Sequence, residues 1–199
     1  MLLDAQDCHL VLVDYQERLM PAIHEGPAVL ANALRLAQAA RLLQVPVTAT
    51  EQNPAGLGRT EAALLPHIGQ AVTKMSFGAA AQLLPRLRPP VRPPAGNARS
   101  LPKHLQKAAP AQDERATIVL AGCEAHVCLL QTALELVDEE FDVWVVTDAC
   151  GSRTERNRDA AFDRLAAAGC ELVTTEMVAF EWLRSCEHPA FREVLRLVK

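Results

Sequence analysis

Residues 116–140 read ATIVLAGCEAHVCLLQTALELVDEE. The opening ATIVLAG is a short apolar and β-branched run, the pattern of a strand buried on both faces of a parallel sheet. From His126 onward the apolar residues recur at helical spacing, which predicts a helix running to residue 140. A strand that passes straight into a helix is half of a βαβ unit. At that junction two of the six cysteines, Cys123 and Cys128, bracket His126. Such a cluster fits a metal site, a redox pair, or one nucleophile with bystanders.

The rest of the chain repeats the same alternation. Strands are predicted at 9–14 (HLVLVD), 45–52 (VPVTATEQ), 70–77 (QAVTKMSF), 141–150 (FDVWVVTDAC) and 170–177 (CELVTTEM). Helices are predicted at 28–44, at 154–169 with a closing glycine, and at 189–199. Six strands separated by helical stretches predict a doubly wound parallel sheet covered by helices on both faces. One segment interrupts the rhythm. Residues 85–110 hold seven of the thirteen prolines and six Arg or Lys with no acid, and too few large apolar residues for a core. It is expected to be an extended or irregular insertion rather than a second domain.

Composition narrows the function classes. A 199-residue chain is one large domain or two small ones, and 50% hydrophobic residues can build a substantial core. The net charge of −4 gives no reason to expect nucleic acid as a general partner. No apolar run approaches the ~20 residues that span a bilayer, so no membrane partner is expected. The first residues, MLLDAQDC, do not read as a signal peptide. The cysteine spacings show no disulfide framework, and a reduced, cytoplasmic protein is expected.

Ligands of open parallel sheets bind beyond the carboxyl ends of the strands. Three ionisable residues fall there: Asp14 after the first strand, Lys74 on the third, and Cys128 one turn past the fourth. A helix N-terminus and a nearby ammonium favour thiolate over thiol, so the expectation is a Cys128 pKa below the usual thiol value. A carboxylate within reach can take the thiol proton and later return it to a leaving group. The plainer alternative is a structural Asp14–Lys74 ion pair beside a buried cysteine. A zinc site at Cys123, His126 and Cys128 has three donors where a structural site takes four. A Cys123–Cys128 disulfide is disfavoured by the reducing setting. His126 is read as an accessory or packing residue and Cys150 as a small buried one. The stretch 54–60, PAGLGRT, lacks the first glycine and the lysine of a phosphate loop and is read as a mobile loop over the site. No dinucleotide-binding glycine motif follows the first strand.

The motifs LVLVDYQERLMPAI (10–23), TATEQNPAGLGRT (48–60), KMSFGA (74–79), LAGCEAHVCLLQTALEL (120–136) and VVTDACGSR (145–153) resemble the isochorismatase-like cysteine hydrolases. The likeness is to the isochorismatase-domain-containing subgroup more than to the nicotinamidases. It implies a catalytic triad of Asp14, Lys74 and Cys128 and a non-proline cis peptide between Cys123 and Glu124. That peptide would turn the Glu124 amide to join that of Cys128 as an oxyanion hole. Nicotinamidases carry a metal-binding D-x-H pair, and the matching stretch here has Glu51 and Gln52 instead, so no metal and no cofactor are expected. Gln16, Glu51 and Gln52 become substrate-binding candidates, with Glu51 read chiefly as a brace for Lys74.

The resulting expectation is a single α/β/α domain over 1–199 with sheet order 3-2-1-4-5-6. It would hydrolyse a small molecule at an amide or other C–N bond and assemble as a homo-oligomer. The alternative function is a non-catalytic or regulatory protein acting through the basic insertion; a thiol-redox protein is a weaker third.

Overall fold

The structure, a computed structural model, describes residues 1–88 and 115–199. Most of the proline-rich insertion, residues 89–110, lies outside the described residues.

Six strands form one all-parallel sheet: β1 (Cys8–Val13), β2 (Val47–Gln52), β3 (Val72–Lys74), β4 (Thr117–Gly122), β5 (Asp142–Val146) and β6 (Glu171–Val173). The order is β3-β2-β1-β4-β5-β6, as expected from the sequence. β1 and β4 are buried at every residue and lie side by side at the centre. Their unbroken apolar runs are therefore the consequence of two covered faces.

The helices are α1 (Gly26–Leu42), α2 (Pro54–Leu57), α3 (Ala80–Leu87), α4 (Leu130–Asp138), α5 (Glu155–Ala167), α6 (Thr175–Leu183) and α7 (Phe191–Val198). α1, α6 and α7 pack on one another, and α4 packs with α3 and α5, giving helical layers on the two faces of the sheet. Among the described residues no helix is long and apolar enough to cross a membrane.

Three expectations about elements change. The sixth strand stops at Val173, because Thr174 caps a helix: its hydroxyl accepts the Met177 N–H at 3.4 Å. The β-branched pair TT thus marks a helix start rather than more strand. α3 was not apparent from the sequence, and it carries Pro85 within it. Residues 85–87, the first of the expected irregular insertion, are therefore helical. The 54–60 stretch is not a loose loop. It begins with the α2 turn, and the Glu17 amide donates to Arg59 O at 2.9 Å while the Glu61 amide donates to Tyr15 O at 2.8 Å.

Sheet order places the reversal of strand winding between β1 and β4, the point beyond whose carboxyl ends open parallel sheets bind their ligands. Gly122, the last residue of β4, lies so close to β1 that a Cβ would sit 2.4 Å from Val13 O and 2.6 Å from Val13 Cβ. Only a residue without a side chain lets the two central strand ends approach this closely. Gly122→Ala is expected to cost about 1–3 kcal/mol in urea unfolding. Gly69→Ala, where an added Cβ would meet nothing within 4 Å, should stay within about 0.5 kcal/mol of wild type.

Candidate active site

Asp14 follows β1 directly, with its backbone at φ 53°, a left-handed conformation that aspartate tolerates better than most residues. Its carboxylate is fully buried, and each oxygen accepts a hydrogen bond. Thr50 Oγ1 donates to Oδ1 at 2.6 Å, and Lys74 Nζ donates to Oδ2 at 2.7 Å. Register explains the convergence. Val13 pairs with Thr50 on β2, and Gln52 pairs with Lys74 on β3. Thr50, Gln52 and Lys74 therefore share a face of the pleat, and the long lysine reaches across β2 to Asp14. The ammonium also donates to Phe77 O at 2.7 Å and Ser76 O at 3.3 Å, so its three protons are all used.

Cys128 enters from the other side of the crevice. Residues Ala125–Leu129 form a single π-helical turn leading into α4, a widening often found where a helix serves a site. The Cys123–Glu124 peptide is cis, at the position the family likeness implies. Glu124 O accepts the amides of Val127 (3.0 Å) and Leu129 (3.2 Å), passing over that of Cys128. An isolated bridge between Cys123 and Gly151 carries the sheet past this peptide, with the Gly151 amide donating to Gly122 O at 3.2 Å and the Ala125 amide to Gly151 O at 2.7 Å.

The thiol differs from the sequence-based expectation. Burial pushes the Cys128 pKa up to about 12, and the Asp14 carboxylate adds to the rise while the Lys74 ammonium opposes it. Cys128 is only 7% exposed, and desolvation of a thiolate outweighs a lysine whose charge is already committed to Asp14. At rest Cys128 is a thiol next to a carboxylate, not a preformed thiolate. Cys186 is the one exposed cysteine and the other five are buried, so Cys186 rather than Cys128 is the thiol most open to alkylation.

The substrate-binding candidates hold the frame of the site together. Gln16 is wholly buried: its amide nitrogen donates to Gln52 O (3.0 Å) and Gly58 O (2.7 Å), and its oxygen accepts Gln52 N–H (2.9 Å). Glu51 does not brace Lys74. It pairs with Thr73, on the opposite face from Lys74, and its Oε1 accepts the Thr60 amide (2.8 Å) and hydroxyl (2.9 Å). Gln52 Nε2 donates to Met75 O at 3.0 Å. Of these three, Gln16 and Glu51 have their polar groups turned to protein.

The rim beyond Cys128 joins Glu124 and His126 to Ser152, Arg153 and Asn157, three residues whose part here was not apparent from the sequence. Glu124 Oε2 accepts the Arg153 amide (3.2 Å) and Nε–H (2.9 Å). His126 Nδ1 lies 2.9 Å from Ser152 Oγ, and its Nε2 lies 3.4 Å from the Asn157 amide nitrogen. Both ring nitrogens of His126 therefore have polar neighbours. Among the described residues no three His, Cys, Asp or Glu side chains gather as a metal-binding set. Cys150 is buried, as read, with its thiol pushed up to about 12 by burial.

Three outcomes check this geometry. Lys74→Met strands a buried carboxylate and should cost about 3–5 kcal/mol in chemical unfolding. Site-resolved iodoacetamide labelling of Cys128 should rise about tenfold per pH unit from about pH 7 to about pH 10 without a plateau. Asp14→Asn removes the charge that pushes the thiol up and keeps the one that pulls it down, so labelling of Cys128 should become faster. Slower labelling in that variant would contradict the electrostatic balance described here.

Residues 8–177 match the Isochorismatase domain family. The chain is 34% identical over 190 residues to isochorismatase domain-containing protein 2A of Mus musculus, covering 96% of this chain and 82% of that one. It is 33% identical to the Homo sapiens isochorismatase domain-containing protein 2, with the same coverage. Its fold is similar to a Caenorhabditis elegans structure described as MAR1 ribonuclease, with TM-score 0.83 and 28% identity over 100% of this chain and 92% of that one. The Escherichia coli YcaC product, described as an octameric hydrolase of unknown specificity, shares the fold at TM-score 0.77 and 24% identity, over 98% and 95% of the two chains. The sheet order, the motifs in their order and the matched span lead to one conclusion: this chain belongs to the isochorismatase family.

Proposed function

We propose that the protein is a cysteine hydrolase acting on an amide or other C–N bond of a small molecule, with Asp14, Lys74 and Cys128 as its triad and 1–199 as one hydrolase domain. The observation that carries this reading is the wholly buried Lys74–Asp14 ion pair, 2.7 Å long, acting on the Cys128 thiol at the carboxyl edge of the sheet. A purely structural pair needs no thiol beside it.

The chemistry follows from the arrangement. Cys128 Sγ attacks the carbonyl carbon as its proton passes to Asp14, so a thiolate never has to persist in the buried crevice. The oxygen of the tetrahedral intermediate accepts from the Glu124 and Cys128 amides. The C–N bond then breaks, and Asp14 returns the proton to the departing amine. Water attacks the thioester with Asp14 again taking a proton, the C–S bond breaks, and the acid leaves as Cys128 regains its proton. Lys74 stays paired with Asp14 at rest and offsets negative charge as it develops. No metal or cofactor takes part.

The six cysteines are all unpaired, which supports action in a reducing, cytoplasmic compartment. A homo-oligomer is proposed as well, since the E. coli neighbour is described as octameric and Met75 and Phe77 stand exposed beside the site.

An ammonia-release panel of small amides, run on wild type and Cys128→Ala together, tests the reaction. The expected result is one or more turned-over amides, a loss of at least about a thousandfold in Cys128→Ala and Cys128→Ser, and full activity in EDTA. An RNA oligonucleotide belongs in the same panel because of the description of the worm neighbour. RNA cleavage, or amide turnover, that survives Cys128→Ala would overturn the proposal.

A further inference from the structure

Between Lys74 and α3 the chain runs through Met75, Ser76, Phe77, Gly78 and Ala79. Met75 is 72% and Phe77 53% exposed, so apolar burial does little to hold this loop in place. Yet the carbonyls of Ser76 and Phe77 take two of the three hydrogen bonds of the Lys74 ammonium. The loop must be fastened by polar contacts, and three are present. Ser76 Oγ donates to Gly78 O at 2.8 Å within the loop. Gln52 Nε2 holds Met75 O from β2. The third comes from the helix that follows Cys128: Glu135 Oε2 accepts the Ala80 amide at 3.1 Å.

That last contact is shaped on both sides. α3 begins after Ala79, whose side chain cannot cap it, and no residue of its own caps the N-terminus. The Glu135 carboxylate fills that role from another helix, where the positive end of the α3 dipole favours it. A Cβ at Gly78 would lie 2.0 Å from Glu135 Oε1, so the carboxylate seats only because residue 78 is glycine. Glu135 lies about two turns beyond Cys128 on the same helical run. One side chain therefore ties the helix of the nucleophile to the carbonyl cage of the lysine.

We infer that Glu135 is a positioning residue for the active site: by anchoring the loop before α3 to α4, it sets where the Lys74 ammonium stands relative to Asp14 and Cys128. The inference rests on the triad of the proposed function. Gln at 135 keeps a carbonyl oxygen that can accept the Ala80 amide, whereas Ala keeps nothing. A merely structural role would alter stability in both variants without changing the chemistry of a thiol two turns away.

Site-resolved iodoacetamide labelling of Cys128 across pH, in the full-length chain, tests this without a known substrate. Lys74 lowers the thiol pKa, so loosening its cage should slow labelling. Glu135→Ala should slow Cys128 labelling by about threefold or more at every pH, and Glu135→Gln should stay within about twofold of wild type. Gly78→Ala, which displaces the carboxylate instead of deleting it, should slow labelling as Glu135→Ala does. Lys74→Met is the reference and should slow it at least as much. If Lys74→Met slows labelling and Glu135→Ala does not, the role of Glu135 is overturned while the triad stands. If Lys74→Met leaves the rate unchanged, the coupling of lysine and thiol fails, and this inference falls with it.

Discussion

The Lys74–Asp14 ion pair constrains everything around it. Both side chains are withdrawn from water, and a buried charge left short of partners costs several kcal/mol. The fold meets that cost by satisfying each atom: Thr50 and Lys74 on the two carboxylate oxygens, Asp14 and two carbonyls on the ammonium. This solution demands a fixed register among β1, β2 and β3. A slip of one residue in β3 would turn Lys74 to the far face of the sheet and strand Asp14. The left-handed backbone of Asp14 and the sharp turn after Lys74 are local costs accepted by that same arrangement.

A neutral thiol beside a compensated ion pair is a different device from an exposed thiolate. The three groups together carry no net charge at rest. In the proposed reaction, attack moves a proton from sulfur to Asp14 while negative charge develops on the substrate, next to an ammonium that has not moved. Burial that raises the thiol pKa also keeps it unreactive toward stray electrophiles, so the proposed reaction depends on a ligand bound in register with Asp14. Expecting a depressed pKa from the helix N-terminus and the lysine counted the favourable charges and omitted both desolvation and the carboxylate.

Gln16, Glu51 and Gln52 are substrate-contact candidates on the family likeness, and the structure adds what their polar groups do within the protein. In the fold they hold the 53–60 segment and the Lys74 loop, since a rim with few buried apolar side chains is kept in shape by hydrogen bonds. Thr50 escaped notice because a threonine in a strand is ordinary. Only pairing with Val13 turns it toward Asp14. Glu135 escaped for the same reason: nothing in a helical ELVDEE sequence says that one carboxylate caps another helix.

Local chemistry and period were enough to determine the class of fold. Apolar runs of strand length alternate with helical spacing, and parallel strands need crossovers, so a doubly wound sheet followed from the chain itself. Strand-end positions likewise nominated Asp14, Lys74 and Cys128, because ionisable residues closing buried runs need partners. Their meeting, the neutral state of the thiol, and the turning of Gln16 and Glu51 into braces were decided by tertiary structure alone. Those properties depend on which strands are neighbours, on which face of the pleat a residue falls, and on how much water is excluded. None of these is a property of residues near one another in sequence: Lys74 reaches Asp14 across sixty positions and one intervening strand.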